Sequence, residues 1–310
     1  MIDPVGLRSL VAVEAHGSVG AAATALDYTP SAVSQQIKRL ESQTGVQLLE
    51  RQGRGVLLTE AGRTLSESAR ELLAHMERLE SRLHGASGEA VGTVRLATFA
   101  TAYRGVVVAA IARLRAVAPD VVLRPEEIDP WDAVDAVAAG THDLAVVHNW
   151  EPLPLAIPDH LEVRDLGRDR ADVLVHANHR LAARASIGVA DVVEEAWASV
   201  APGSICHQWL VKMHADVGRA PRIAHYALEF ATHVALVAQG EAIALVPRLG
   251  RGPLPAGVVA LPMVDPVPER TVSLLWRRTM SESPALAVAV DALAAVASDE
   301  LVDVGSPRTV

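Results

Sequence analysis

Apolar residues recur over the first sixty positions at intervals of three and four, the spacing of one helix face. Leu7, Leu10 and Val11 form one such stripe, which ends near His16-Gly17. Ser18 is placed to cap a second helix, Val19 to Leu26, whose alanines permit close packing. After Asp27-Tyr28, Thr29 reads as an N-cap with Pro30 at the first helical position, where its missing N–H costs nothing. This third helix is expected to run to about Gln43 and to stop at Gly45. Val33, Ile37 and Leu40 make its apolar stripe; Ser31, Ser34, Gln35, Lys38 and Ser42, all able to hydrogen-bond, lie opposite. Two helices joined by a tight turn, the second two-faced, predict a helix-turn-helix.

In "LLERQGRGVLLTEAG" two apolar runs flank Gly53-Arg54-Gly55, which predicts a hairpin with a basic tip, the wing of a winged helix. From Thr59 a long helix is expected. Leu65, Ala69, Leu72, Met76, Leu79 and Leu83 step by 4, 3, 4, 3 and 4, an a/d seam that calls for a partner helix and so for a homodimer. Gly85-Ala86-Ser87-Gly88 reads as a flexible hinge.

Beyond it the period changes. "TVRLAT" predicts a strand, Tyr103–Val117 a helix, Val121–Pro125 a strand, Trp131–Ala139 a helix ending at Gly140, and "DLAVVH" a strand. The alternation resumes after Leu161, with "DVLVHA" a strand, Ile205–Asp216 and Ala227–Gln239 helices, and "AIALVP" a strand. "RTVSLLW" and Pro284–Ala297 close the chain as strand and helix. Such alternation implies mainly parallel sheets covered by helices, here in two lobes with a cleft that suits a small molecule. The fold class is thus α+β and α/β. Residues 1–59 are expected to form a winged helix-turn-helix domain, a candidate for DNA binding, 60–88 a linker helix and hinge, and 89–310 a two-lobed domain, a candidate for effector binding. Within that domain lobe I covers about 89–161 and 269–310, and lobe II about 162–268.

Composition narrows the classes. Half of the 310 residues are apolar, enough for a sizeable core, and the net charge of −9 excludes a strongly basic coat. Charge alone does not decide for nucleic acid: residues 1–63 hold six basic and six acidic side chains, with Lys38, Arg51 and Arg54 gathered near the proposed docking face. One cysteine, Cys206, allows no intrachain disulfide and fits a reducing compartment. No signal peptide or membrane-spanning stretch is read, so a cytoplasmic protein is expected.

Taken together, "HGSVGAAATAL", "TPSAVSQQIKRLE", "GVQLLERQGRGVLLTEAG", "AGTHDLAVVH" and "GEAIALVP" resemble the LysR-type transcriptional regulators in order and spacing over nearly the whole chain. The resemblance implies a winged helix, a dimerising linker helix and a two-lobed effector domain of periplasmic-binding-protein type. It implies homotetramers that act on promoters when a small metabolite binds, with RNA polymerase as a further partner. No cofactor, metal or membrane is implied. Gln35 stands where many members carry arginine, Leu49 where many carry phenylalanine, and Ala242 where glycine is common.

An α-helix fits the major groove of duplex DNA, and small polar residues let its backbone approach closely. Ser34 and Gln35 are candidates for base edges; Gln suits adenine N6 and N7. Thr29, Pro30 and Ser31, with Ser18 on the preceding helix, are placed for phosphates near helix starts. Lys38 and Arg39 are candidates for backbone or base, and Arg51 and Arg54 for phosphates. The bland reading is a solvated helix surface.

Effector candidates lie where strands give way to helices. In "ATFATAY" they are Thr98 and Thr101; in "APGSICHQW" they are Ser204, Cys206 and His207. Two helix starts facing across a cleft favour an anion such as a carboxylate, and the resemblance places inducers near the positions matching Thr101 and Ser204. Trp131 and His148 are candidate walls. The bland reading for each is capping or packing. Twelve histidines, among them His176, His179, His207 and His214, raise a metal-responsive alternative, but no His/Cys set has zinc spacing. A ligand-independent regulator is a further alternative. A hydrolase using Ser204 or Cys206 lacks the G-x-S-x-G elbow, and no phosphate-cradling glycine loop appears.

Overall fold

A computed structural model describes residues 2–26, 28–52, 55–87, 89–151 and 153–302. Three helices open it: α1 (Pro4–His16), α2 (Val19–Ala25) and α3 (Pro30–Thr44). Each begins on a side-chain oxygen that accepts from a backbone N–H of the first turn: Asp3 from Val5, Ser18 from Ala21, Thr29 from Ala32. Gly17 and Gly45 end α1 and α3 in the left-handed conformation. A hairpin follows, β1 (Leu49–Gln52) antiparallel to β2 (Gly55–Leu58), and then α4 (Glu60–Ser87). Leu7, Leu10, Val33, Ile37, Leu40, Leu48 and Ala69 close one small core between them. Gly53 and Arg54, the expected wing tip, lie outside the described residues, as do Gly88 and the side chain of Arg51. The expected hinge at Gly85-Ala86-Ser87 is helical instead, because α4 continues through Ser87.

The remainder runs β3 (Gly92–Thr98), α5 (Ala100–Ala102), a π-turn (Tyr103–Val107), α6 (Val108–Val117), β4 (Val121–Glu127), α7 (Pro130–Ala138), β5 (Leu144–Trp150) and β6 (Leu161–His176). Then come β7 (Ile187–Gly188), α8 (Val189–Val192), β8 (Ala196–Ser199), α9 (Ile205–Ala215), β9 (Arg222–Tyr226), α10 (Phe230–Ala238) and β10 (Ile243–Pro247). The chain ends with β11 (Val258–Asp265), β12 (Glu269–Arg277), a 3-10 turn (Arg278–Met280) and α11 (Pro284–Glu300).

The strand order is β4-β3-β5-β12-β6-β10-β8-β9, with β11 on β6. Lobe I is β4, β3, β5, β12 and the first part of β6; lobe II is the second part of β6 with β10, β8, β9 and β11. The sheets are mixed, not mainly parallel. β3–β4, β3–β5, β8–β10 and β8–β9 pair in parallel, but β12 and β6 run antiparallel to their neighbours because they carry the chain across and back. Pairing with β12 extends through Arg170, so the crossing falls inside the 16-residue β6 rather than at Leu161. Strands β8, β9 and β11 are additional to those the apolar pattern predicts. Separate apolar clusters fill the domain: Leu96, Val106, Leu144 and Leu293 belong to one, and Trp150, Val173, Trp197 and Trp209 to another. Among the described residues no helix is long and apolar enough to cross a membrane.

Candidate DNA-reading surface and interlobe cleft

Val33, Ile37 and Leu40 are fully buried, which turns the opposite side of α3 outward. Thr29, Pro30, Ser31, Gln35, Lys38 and Arg39 are exposed, and Ser34 and Ser18 half-buried. Thr29 and Ser31 share a hydrogen bond of 3.0 Å at the helix start. The Arg39 guanidinium lies 4.0 Å from the Asp3 carboxylate. The strip is held by what lies beneath it. Gln36 accepts from the buried Ser9 hydroxyl, tying α3 to α1. Glu41, absent from the sequence-derived candidates, accepts from the Leu48 and Leu49 N–H groups at 2.8 and 3.3 Å and so fixes the hairpin to α3. Arg63 donates to Leu58 O at 2.7 Å from the other side. Arg54 and the Arg51 side chain lie outside the described residues.

The expected seam on α4 divides. Leu65 and Ala69 pack into the core of this N-terminal unit. Met76 is half-buried, while Leu72, Leu79 and Leu83 are 49, 54 and 71 % exposed.

The cleft is organised around Arg270, which the sequence reading passed over. Its side chain is fully buried where β12 returns to lobe I. Nε and Nη2 donate to Asp169 Oδ2 at 2.9 and 2.7 Å, and Nη2 also donates to the Thr101 hydroxyl at 2.6 Å. The guanidinium lies 4.9 Å from the Phe99 ring centre and 5.7 Å from that of Trp150. Thr101 is therefore buried and already engaged, not an open hydroxyl. Lobe II presses on the same turn: Gly250 has φ +64°, and a Cβ there would stand 2.4 Å from Thr101 O. Leu249, beside it, is inserted in the core of lobe I, and its N–H donates to Asp169 Oδ1 at 3.0 Å.

His148 is buried edge-on against Phe99, ring centres 4.5 Å apart. Burial, then the Arg270 charge, pushes its pKa well below the ordinary 6.5, so it is neutral. His148 Nδ1, Thr98 Oγ1 and Trp131 Nε1 are buried without a hydrogen-bond partner among the described residues, while the Trp150 side chain meets the Cys206 thiol. Trp131, half-buried, packs on the lobe core just after Asp129, whose carboxylate accepts from Trp131 N and is raised chiefly by burial.

From lobe II, Ser204 caps α9. Its hydroxyl donates to Ala201 O at 2.8 Å and accepts from His207 N at 3.3 Å, which occupies it locally. His207 turns to Ser199 Oγ (3.0 Å) and Tyr226; burial lowers its pKa. Cys206, whose thiol is pushed up by burial, lines a small cavity with Trp150, Ser199, Leu210, Phe230 and His233. That cavity is about 20 Å³, room for one water molecule. Thr101, His148 and Cys206 thus converge on Arg270 and Trp150. Ser204 and His207 serve the local frame of α9. No group of three His, Cys, Asp or Glu able to hold a metal occurs among the described residues.

Comparison with known proteins adds to this geometry. The profile described as bacterial regulatory helix-turn-helix protein, lysR family, matches residues 5–63, and the LysR substrate binding domain matches residues 87–298. The small neutral protease regulatory protein of Streptomyces coelicolor is 31% identical over 242 residues, 76% of this chain and 71% of that one. The HTH-type transcriptional regulator ClcR of Pseudomonas putida is 36% identical over 138 residues, 44% of this chain and 47% of its own. A full-length OxyR variant from Pseudomonas aeruginosa superposes with a TM-score of 0.69 at 21% identity, covering 94% of this chain and 95% of that one.

Proposed function

Since the chain belongs to the LysR family of DNA-binding transcriptional regulators, we propose that it reads promoter DNA through the outer strip of α3 and answers to a small anionic molecule held between its lobes. The family is not one of enzymes, so Ser204 and Cys206 need no nucleophilic role. Gln35 and Ser34 meet base edges, Thr29, Ser31 and Lys38 meet phosphates, and Leu72, Leu79 and Leu83 join two copies, which spaces two α3 helices about one DNA turn, ~34 Å, or a multiple apart. Two such dimers make the homotetramer.

One observation carries the ligand reading: among the described residues, a fully buried guanidinium has one carboxylate partner, and the buried His148 Nδ1 near it has no hydrogen-bond partner. An anion offers Arg270 a second counter-charge. Arg270 and Thr101 are both buried in this form, so a ligand that reaches them must part the residues packed over them.

Two measurements test the proposal. Genome-wide mapping of bound sites gives operator fragments. On these Lys38→Ala is expected to weaken binding uniformly and to reduce the salt slope by about one; an unchanged slope removes Lys38 from the phosphate contacts. Thermal-shift screening against small carboxylates and their amides is expected to show stabilisation by carboxylates only, lost in Arg270→Met. Stabilisation by the amides alone sinks the anionic reading.

A further inference from the structure

At its far end β12 carries a second arginine with a different task. Arg277 is buried, 7 % exposed, and donates in every direction. Nη1 reaches Val137 O at 2.6 Å and His142 O at 2.5 Å. Nε and Nη2 clasp the Glu77 carboxylate of α4 at 2.9 and 2.6 Å, and Nη2 lies 3.5 Å from Asp143 Oδ1. Thr279, in the 3-10 turn after β12, donates to the same Glu77 carboxylate. Asp143 is meanwhile held by Arg95 at 2.6 Å. The directly bonded set Arg95, Asp143 and Arg277 therefore has one positive charge in excess within the effector domain. Glu77, arriving from the linker helix, supplies the balance. Leaving a buried arginine short of its counter-charge costs far more than losing an exposed pair.

We propose that Glu77 is the positioning residue of the linker helix: a charge clamp through which the effector domain is held at one orientation to the DNA-reading unit. The clamp has a short route to the cleft. Arg277 grips the last turn of α7 through Val137 O, and α7 begins at Asp129-Pro130-Trp131 beside the cleft. Nine helical residues span about 13 Å as a rigid rod. A displacement at Trp131 is thereby carried to the acceptors of Arg277 and on to Glu77. This last step rests on the cleft being the effector site; the clamp itself does not, and the following experiment reads the clamp alone.

Amide hydrogen exchange on the full-length protein, without ligand or DNA, tests it. In Glu77→Gln, residues 89–91 and the last turns of α4 are expected to exchange at least tenfold faster than in wild type. Thr279→Val, which removes one donor to the same carboxylate, is expected to fall between. Glu71→Gln, an equal loss of charge at an exposed site on the same helix, is expected to match wild type. Wild-type exchange in Glu77→Gln would overturn the clamp. So would acceleration that spreads equally to β10 in lobe II, because a clamp acts only at the junction.

Discussion

Gly62 shows how much one missing side chain can decide. The first turn of α4 crosses the hairpin there, and a Cβ would stand 2.2 Å from Leu48 O, with the Leu58 side chain at 3.3 Å. Backbone cannot swing away as a flexible side chain can. Gly62→Ala is expected to cost about 2 kcal/mol or more by overpacking, seen as a lower melting temperature of the N-terminal unit with the effector domain unchanged. Thr101 and Arg270 make the opposite point. "ATFATAY" reads as a hydroxyl at a helix start, and "RTVSLLW" only as a strand. The fold puts the two 2.6 Å apart and buries both. A strand pattern gives the period of Arg270 but not a neighbour 169 residues away.

Among the elements, α4 has two employments that one heptad pattern cannot separate. At 28 residues α4 outruns the small N-terminal core, so Leu65 and Ala69 pack into that core while Leu79 and Leu83 lie beyond it, exposed. Hence the two ends of the seam are energetically independent. Leu79→Asp combined with Leu83→Asp is expected to shift sedimentation toward monomer while the N-terminal unit keeps its melting temperature. An unchanged sedimentation profile would remove these leucines from the interface. The helices of the N-terminal unit were legible because each carries its own caps and stripe within about fifteen residues. β8, β9 and β11 were not, because "AWAS", "RIAHY" and "VVALPMVD" are too short or too irregular in alternation to stand out, and only their pairing partners make them strands.

For the molecule as a whole, ion pairs gather on either side of the point where β6 and β12 cross from lobe to lobe. Asp172 pairs with Arg248 and Arg251, Glu269 with Arg168 and Arg170, and Asp169 with Arg270. Burial alone would raise Asp172, yet hydrogen bonds from Arg248 and Arg251 win and hold it below the usual carboxylate range. The neutral histidines set the response to mild acid. Burial lowers His148, His214 and His233 from 6.5. In the unfolded chain they take up protons first, so their contribution is complete above pH 6.5 and is lost as pH falls below it. The melting temperature is therefore expected to drop between about pH 7 and pH 5, and less steeply in His148→Phe; equal steepness would discharge His148 as a source. Caps, stripes and the alternation of strand with helix lie within a few residues of one another, so the chain alone determined the winged helix, the amphipathic linker and the α/β character of the rest. Glu77 and Arg277 are separated by 200 residues, and Arg270 and Thr101 by 169. Contacts at such range leave no period or spacing behind them, and only the path of β6 and β12 between the lobes decided that these charges would meet.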